Sequence, residues 1–353
     1  MTHQVEDTEL IIGDWHHRFT GVSATIATML PEMADKERLA VLSGRESPYP
    51  RVGMWQAIQL CWRRPVQKPF RILHARRNIE LWLGLLLRKI LRRPVRVVFT
   101  SAAKRRHSAV PRFLISTADV RIATTDEAAS HLRDVAAVIP HGVNCQKFRP
   151  ADDRTGVLRS FGIRQQKAAA IVGRIRPEKG TDLFVEAMIP VLQQRRDVAA
   201  CLVGTATQKF AEFADDLKKR IHEAGVTDQV YWMNQLGHDD LARLLSGISM
   251  CVAPARYEGF GLVPLEAMAC QAAVVASMTG AYPQIVVPEK TGLLVDCGDA
   301  DGLSQAIARL LDDDTLRISM GQAGRQRVID HYSAELESQR IREVYQNLWN
   351  KAA

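Results

Sequence analysis

Short apolar runs alternate with helically spaced apolar residues along most of the chain. In the second half, apolar runs predict strands at residues 168–173, 200–204, 229–233, 250–253, 273–277 and 292–295. Helical spacing predicts helices at residues 182–194, 210–224, 239–245 and 299–313, and one more from residue 314 to the end. Strands that alternate with helices in this way form a parallel sheet with right-handed crossovers.

The first half shows the same alternation with less regular spacing. Its predicted strands lie at residues 8–12, 38–42, 70–75, 95–101, 120–124 and 136–139. Helical spacing runs from residue 22 to residue 30, and a further helix is predicted to begin at Asp126. Proline, paired aspartates and glycine in residues 149–162 indicate a linker. We therefore expect two domains, residues 1–150 and residues 151–353.

One stretch, residues 250–275, combines apolar runs with the most informative polar residues. Its first apolar run ends near Pro254, and the loop that follows reads Ala-Arg-Tyr-Glu-Gly-Phe-Gly. A helix is predicted to begin near Leu262 or Val263, with Pro264 in its first turn, where a missing N–H costs nothing. The free backbone amides at such a helix start favour an anion.

Two glutamates flank these amides. Glu258 precedes Gly259 and Gly261, and Glu266 lies in the opening turns of the helix. Because glycine has no Cβ, the backbone here can approach a ligand closely. Carboxylates accept hydrogen bonds from hydroxyl groups, while amides donate to phosphate or sugar oxygens. The stretch therefore predicts a site for a polyhydroxylated, phosphate-bearing ligand.

A second glycine loop follows the strand predicted at residues 168–173. It reads Val-Gly-Arg-Ile-Arg-Pro-Glu-Lys-Gly and carries Arg174 and Lys179, with Gly180 opening the next helix. An arginine fork and a lysine point charge can together neutralise a diphosphate. We expect both cations at the edge of the sheet where the two glutamates lie.

These two loops resemble a known family. The run Glu-Gly-Phe-Gly-Leu-Val-Pro-Leu-Glu-Ala-Met-Ala-Cys resembles the signature of retaining, nucleotide-sugar-dependent glycosyltransferases of family 4, and the second loop resembles their G-R-x-x-x-x-K-G. The resemblance implies an α/β GT-B fold, in which two Rossmann-like doubly wound domains face a central cleft. It implies that the first domain binds the acceptor and the second the nucleotide sugar. The final helix, about residues 333–353, would cross back to the first domain.

The resemblance also implies roles for individual residues. Arg174 and Lys179 would bind the donor's phosphates and stabilise the leaving nucleoside diphosphate, a form of electrostatic catalysis. Glu266 would accept hydrogen bonds from the donor ribose. Glu258 would hold the transferred sugar and would not act as a covalent nucleophile, since the reaction proceeds on one face. The other implied donor-binding residues are Gly21, Val22, Gly259, Phe260, Gly261 and Leu262.

The first half departs from the family at one position. Many members carry a histidine at the end of the fourth strand, where this chain has Thr-Ser-Ala around Ser101. Segments that include Arg18, His74 and Ser101 resemble instead a subgroup of lipopolysaccharide-core mannosyltransferases. That resemblance implies transfer of mannose from GDP-mannose to a lipopolysaccharide core. The alternative is a UDP-glucose-dependent core or exopolysaccharide transferase. The acceptor-side candidates are Arg18, His74, Ser101 and His107.

Positive charge is concentrated in the first half. The net charge is +8, yet residues 62–112 hold fifteen Lys or Arg against one acid, Glu80. Such a block predicts an anionic partner. The resemblance implies an anionic glycolipid of the lipid A-core type, at the cytoplasmic face of the inner membrane. Residues 79–91 are then either a core helix or a peripheral membrane patch. A nucleic-acid-binding protein is a distant alternative, because no helix-turn-helix, RRM or zinc pattern is present.

Several other classes of protein and site are not predicted. No segment approaches the ~20 apolar residues of a membrane span, and the polar, acidic start does not resemble a secretory signal. The six scattered cysteines indicate a reducing cytosol. Asp299-Ala-Asp301 has the spacing of a metal-binding D-x-D motif, but Asp299 is predicted to cap a helix. We expect no metal ion and no cofactor besides the nucleotide sugar.

Overall fold

The computed structural model describes residues 5–16, 20–103 and 108–351. Numbered along the chain, the strands are β1 (Leu10–Gly13), β2 (Leu39–Leu42), β3 (Arg51–Val52), β4 (Arg71–Ala75), β5 (Val95–Ser101), β6 (Val120–Ala123), β7 (Val135–Val138), β8 (Lys167–Val172), β9 (Val198–Val203), β10 (Val230–Met233), β11 (Met250–Ala253), β12 (Ala273–Ser277) and β13 (Leu293–Val295). The helices are α1 (Gly21–Ala34), α2 (Met54–Leu60), α3 (Asn78–Leu85), α4 (Ala109–Ser116), α5 (Asp126–Ser130), α6 (Arg154–Ser160), α7 (Thr181–Gln194), α8 (Ala211–Glu223), α9 (His238–Gly247), α10 (Leu262–Ala269), α11 (Tyr282–Ile285), α12 (Ala300–Asp312), α13 (Asp314–His331) and α14 (Ala334–Asn350). A π-helical turn, Leu86–Ile90, continues α3.

The chain divides into two compact units. Met1–Gly142 and Ala334–Ala353 form the first unit, and Val143–Ser333 forms the second. Residues 149–162, predicted as a linker, lie inside the second unit and contain α6. The polar residues that suggested a linker form the start of that helix, because the Asp153 side chain caps it by accepting the Gly156 N–H at 2.8 Å.

The first unit is built on a seven-stranded sheet in the order β3-β2-β1-β4-β5-β6-β7. Its strand pairs are all parallel within the described residues. β1, β2 and β4 are buried along their whole length, as expected for a parallel sheet with helices on both faces. The strand order reverses between β1 and β4. In open α/β sheets, ligands bind outside the carboxyl ends of the strands at this point.

The last helix predicted from the sequence, residue 314 to the end, is in fact two helices. α13 belongs to the second unit and α14 to the first, so the helix must break where the chain passes between units at residues 332–333. α14 packs on α1 and buries Tyr345 and Trp349 completely. The Trp349 indole N–H donates to the Phe70 carbonyl at 3.0 Å. The predicted return of the final helix to the first domain is therefore confirmed.

The second unit contains a six-stranded sheet in the order β10-β9-β8-β11-β12-β13. All its described pairings are parallel. Alternate residues of β8 face two separate apolar clusters, Ala168 with Ala170 on one side and Ala169 with Ile171 on the other. Two such sheets confirm the predicted doubly wound, Rossmann-like α/β architecture. The order reverses between β8 and β11, which places the loops after these strands at the ligand-binding edge.

Two helices of the first unit, α2 and α4, lie where the sequence pattern predicted no element. Both carry large apolar side chains on their outer side, with Trp55 78% and Phe113 61% exposed. A sequence pattern assigns large apolar residues to the buried side of a helix. Because these two residues lie on the outer side, the helical spacing of both short segments could not be recognised.

Candidate functional site

The loop after β8 is shaped by two glycines in left-handed backbone. Gly173 has φ +150°, and Gly180 has φ +71° at the start of α7. A Cβ on Gly180 would lie 2.0 Å from the Pro254 carbonyl oxygen at the end of β11. Only glycine fits this close approach, so the β8 loop and the β11 loop are held directly against each other.

Arg256 strengthens the junction between the two loops. Its guanidinium donates to both carboxylate oxygens of Asp182 at 2.8 Å each, and to the Pro177 carbonyl at 2.8 Å. The backbone N–H groups of Arg256 and Tyr257 both donate to the Glu178 carbonyl. The hydrogen bonds that Asp182 accepts raise the pKa of Arg256 above its ordinary value. Because this ion pair is bidentate, it fixes both the distance and the orientation of the β11 loop relative to α7.

This junction brings three of the predicted residues together. The Lys179 ammonium lies 2.5 Å from Glu258 Oε2, and the other oxygen of Glu258 accepts the Gly259 N–H at 2.8 Å. Both side chains of the ion pair are less than a quarter exposed. Arg174 is exposed and directly follows Gly173 in the loop that also carries Lys179. A cation and a carboxylate therefore meet at the carboxyl edge of the second sheet, and Arg174 belongs to the same loop as the cation.

The helix that opens next to this cluster is α10. Gly261 precedes it with φ +83°, and a Cβ there would lie 2.3 Å from a ring carbon of Tyr282. Burial, with the neighbouring charge of Glu258, raises the pKa of Tyr282 well above its ordinary value. Phe260 is buried and Leu262 packs at the edge of the core. The predicted turn is thus anchored on both sides, and the α10 amides lie beside Glu258.

Glu266 lies in the second turn of α10 and is 8% exposed. Burial raises its pKa to about 7, although Lys147 opposes the shift. Its carboxylate has no hydrogen-bond donor among the residues that the structure describes; the Nε2 atom of His238 lies 3.9 Å away. A buried carboxylate without donors is unfavourable, so Glu266 marks a place where ligand hydroxyl groups can donate.

In the first unit, Gly21 and Val22 open α1 after the β1 loop. Thr20 caps the helix by accepting the Ser23 N–H, and a Cβ built on Gly21 would meet no atom of the described residues within 4 Å. Arg77 donates to the Thr20 hydroxyl at 2.8 Å and to Asp14 at 2.9 Å, so β4 and the β1 loop are tied together.

A buried glutamate completes this tie. Glu80, fully buried at the start of α3, accepts backbone N–H groups from Trp15, Arg76 and Arg77 at 2.6–3.0 Å. Burial raises its pKa, while these hydrogen bonds oppose the shift. Glu80 therefore holds the loop after β1 against the loop after β4.

The predicted acceptor-side residues fall in different surroundings. His74 is fully buried, and its ring nitrogens hydrogen-bond the Tyr345 hydroxyl and, at 2.7 Å, the Thr100 hydroxyl. Burial lowers its pKa well below the ordinary value, so this neutral imidazole joins α14 to the sheet and exposes no atom to an acceptor. Ser101 is also buried, at 3% exposure. Arg18 and His107 lie outside the described residues.

The D-x-D spacing has a structural explanation. Asp299 caps α12 by accepting the Gly302 N–H at 2.8 Å, which confirms the predicted cap. Across the described ranges, no group of three or more His, Cys, Asp or Glu side chains is arranged to hold a metal ion.

Sequence reasoning missed three residues of this site. Arg256 lies two residues before Glu258 in the loop after β11, and its place among the site residues was the available signal. His238 opens α9 and lies near Glu266, which is distant in the sequence, so no local pattern indicated it. Tyr282 gave no local signal, because only the fold brings α11 against Gly261.

The known proteins that this chain resembles are glycosyltransferases. The family described as Glycosyl transferases group 1 matches residues 158–327. The lipopolysaccharide core biosynthesis mannosyltransferase LpcC of Rhizobium leguminosarum bv. viciae is 36% identical, covering 98% of this chain and 97% of that protein. The corresponding enzyme LpsB of Rhizobium meliloti (strain 1021) is also 36% identical, covering 98% of this chain and 99% of that protein.

A solved structure supports the fold. Anabaena Alr3699/HepE, crystallised in complex with UDP, superposes with a TM-score of 0.82 at 18% sequence identity, covering 96% of this chain and all of that one. The likeness extends over both units, so the GT-B fold implied by the sequence motifs is confirmed.

Proposed function

Since the chain belongs to the glycosyl transferases group 1 family and is a glycosyltransferase, we propose that it moves mannose from GDP-mannose onto a lipopolysaccharide core acceptor, with retention at the anomeric carbon. Both curated relatives are named as lipopolysaccharide core mannosyltransferases and match almost the whole chain. Their names support the mannose and the acceptor class.

One observation carries the donor-site part of the proposal. Lys179 and Glu258 come from loops after different strands, yet they meet at 2.5 Å beside the first turn of α10. The close approach of Gly180 to Pro254 and the ion pair between Arg256 and Asp182 hold these loops together. A cation, a carboxylate and helix-start amides at one edge suit a sugar joined to a diphosphate.

In the proposed reaction, the C1–O bond to the diphosphate breaks and a C1–O bond to the acceptor forms on the same face. The acceptor proton passes to an oxygen of the leaving phosphate. Arg174 and Lys179 stabilise the charge that develops on this phosphate, and Glu258 accepts hydrogen bonds from the sugar. Glu266 accepts from the ribose hydroxyls. No metal ion or further cofactor is part of the proposal.

The first unit is proposed to bind the acceptor, an anionic glycolipid of the lipid A-core type. Its basic block, residues 62–112, supplies the complementary charge. We place the enzyme at the cytoplasmic face of the inner membrane as a peripheral protein, since the acceptor is embedded there.

A donor panel with purified protein tests the proposal. GDP-mannose and GDP should raise the unfolding temperature, and GDP-mannose should be consumed when the isolated core glycolipid is present. Proton NMR of the product should show the anomeric configuration of the donor. Turnover with UDP-glucose and none with GDP-mannose would contradict the mannose assignment and favour the UDP-glucose alternative.

A matched pair of lysine variants locates the donor site. Lys179→Ala should abolish thermal protection by the donor or weaken it strongly. Lys218→Ala, which removes a lysine from an exposed pair with Asp215 on α8, should leave protection unchanged. Equal behaviour of the two variants would place the donor elsewhere.

A further inference from the structure

The two faces of the first sheet are covered by different helices. Leu10 and Ile12 of β1 pack in the cluster that contains α1 and α14, whereas Ile11 packs in a cluster with α2 and α3. Residues of β5 on that second face contact α3 and α4. Helices α2, α3 and α4 therefore lie side by side on one face, and α3 and α4 touch.

The outer side of these helices is apolar at helical spacing. On α3 and the π-helical turn, the inner residues Leu81, Leu83 and Leu87 are buried. The outward row of α3 and the π-helical turn consists of Ile79, Trp82, Leu86 and Ile90. Together with Val110 and Phe113 of α4, these residues form what we call the α3–α4 patch. Ile90, Val110 and Phe113 are each more than 60% exposed.

Exposed apolar residues are unevenly distributed over the described chain. Nine large exposed apolar side chains lie between residues 55 and 113, against four in the whole second unit. Single exposed apolar residues are ordinary, but a row of them marks an interaction site. None of the helices in the described ranges has the length and apolar composition needed to cross a membrane.

The positive charge in the segment that carries the patch, residues 62–112, is almost unopposed by carboxylates of the same segment. Arg64, Lys89, Arg92 and Arg112 are exposed close by in the chain. The one acid of residues 62–112, Glu80, is fully buried and bound to backbone N–H groups. No surface carboxylate within the described part of that segment therefore offsets these cations.

We propose that the α3–α4 patch docks the enzyme on an anionic phospholipid bilayer, with Trp82, Ile90 and Phe113 inserted among the headgroups. Helices that lie at a membrane–water interface typically combine bulky apolar side chains with basic side chains. A second copy of the chain would bring like charges together across this face, which disfavours self-association. The inference rests on the proposed function for the lipid-linked acceptor, but its test needs neither donor nor acceptor.

Co-sedimentation with vesicles is the test. The wild-type protein should bind vesicles of phosphatidylglycerol and phosphatidylcholine, bind phosphatidylcholine vesicles weakly, and be released by high salt. Replacing three cations (Arg64→Gln, Lys89→Gln, Arg112→Gln) should weaken binding by about 100-fold, since each cation near an anionic surface adds ~1 kcal/mol. Replacing the apolar residues (Trp82→Ser, Ile90→Ser, Phe113→Ser) should weaken binding at least roughly tenfold.

Control variants come from the second unit. Lys218→Gln with Lys219→Gln, and separately Met278→Ser with Ile318→Ser, change exposed residues of the same types and should bind vesicles like wild type. Every variant should unfold cooperatively in a thermal scan without any ligand, which shows that it is folded. Vesicle binding measured in the absence of donor then tests this proposal separately from the proposed function.

Three results would overturn the proposal. Wild-type protein could fail to prefer anionic vesicles, or both patch variants could bind them as tightly as wild type. The patch variants could instead convert a dimer to a monomer in size-exclusion chromatography without any effect on vesicle binding, which would assign the face to a second copy.

Discussion

Gly261→Ala is expected to damage both the stability of the second unit and the donor site. Its φ of +83° lies in the left-handed region, where a Cβ costs about 1–2 kcal/mol. The added methyl would also lie 2.3 Å from the buried ring of Tyr282 and 3.2 Å from Cγ of Glu258. Overpacking of this kind costs about 1–3 kcal/mol. Together the two effects should lower the free energy of unfolding by about 2–5 kcal/mol.

Urea denaturation gives the stability loss, and titration with GDP-mannose gives the change in donor affinity. Because the methyl presses on Glu258, affinity should fall even where the variant is fully folded. Gly44→Ala is the matched control, since a Cβ there meets no atom within 4 Å and its φ is not left-handed. If Gly261→Ala and Gly44→Ala have the same free energy of unfolding and the same donor affinity, the turn before α10 is not packed against Tyr282 and Glu258.

A companion substitution separates the two costs. Tyr282→Leu removes the ring edge that the new methyl meets, so the double variant with Gly261→Ala should lose less stability than the sum of the two single losses. Additive losses would assign the whole effect to backbone strain.

Three further predictions concern charge and buried polar contacts. Lys179→Ala and Arg174→Ala should each raise the barrier to turnover by about 2–4 kcal/mol, measured as kcat. Because burial raises the pKa of Glu266 to about 7, the unfolded chain releases this proton first as pH rises. Unfolding free energy should therefore fall by about 3 kcal/mol between pH 4.5 and 7, and urea titrations of Glu266→Gln should lack this slope. Tyr345→Phe removes one of the two hydrogen-bond partners of His74 and should lower the free energy of unfolding, measured by thermal denaturation, by about 1–3 kcal/mol.

Much of the fold was predictable because buried parallel strands have continuous apolar sequences. β5 and β12 were predicted with their observed bounds, and α5 with its observed start. The failures lie where a local pattern competes with tertiary structure. Residues 149–162 have linker composition but form a capped helix in the second unit, and the break between α13 and α14 follows from the passage between units.

The second-unit site was predictable for a similar reason. Arg174, Lys179 and Glu258 lie just after strands, and parallel strands bring their carboxyl ends to one edge. Contacts between distant segments could not be predicted. The burial of His74 against Tyr345 depends on α14 returning across more than two hundred residues, and the Gly261 contact with Tyr282 depends on α11. The sequence around a single histidine does not indicate which groups form hydrogen bonds with its two ring nitrogens.

The return of α14 has a consequence for biosynthesis. The ribosome completes residues 143–333 before it makes the helix that fills the groove beside α1. The N-terminal domain usually folds first, but here only the second unit is contiguous in the chain. It can fold while the first unit still exposes the apolar groove that receives Ile341, Tyr345 and Trp349. A nascent chain in this condition is a natural client for chaperones. A chain truncated before residue 334 lacks α14. Residues 1–142 should then aggregate, although all of them are still present.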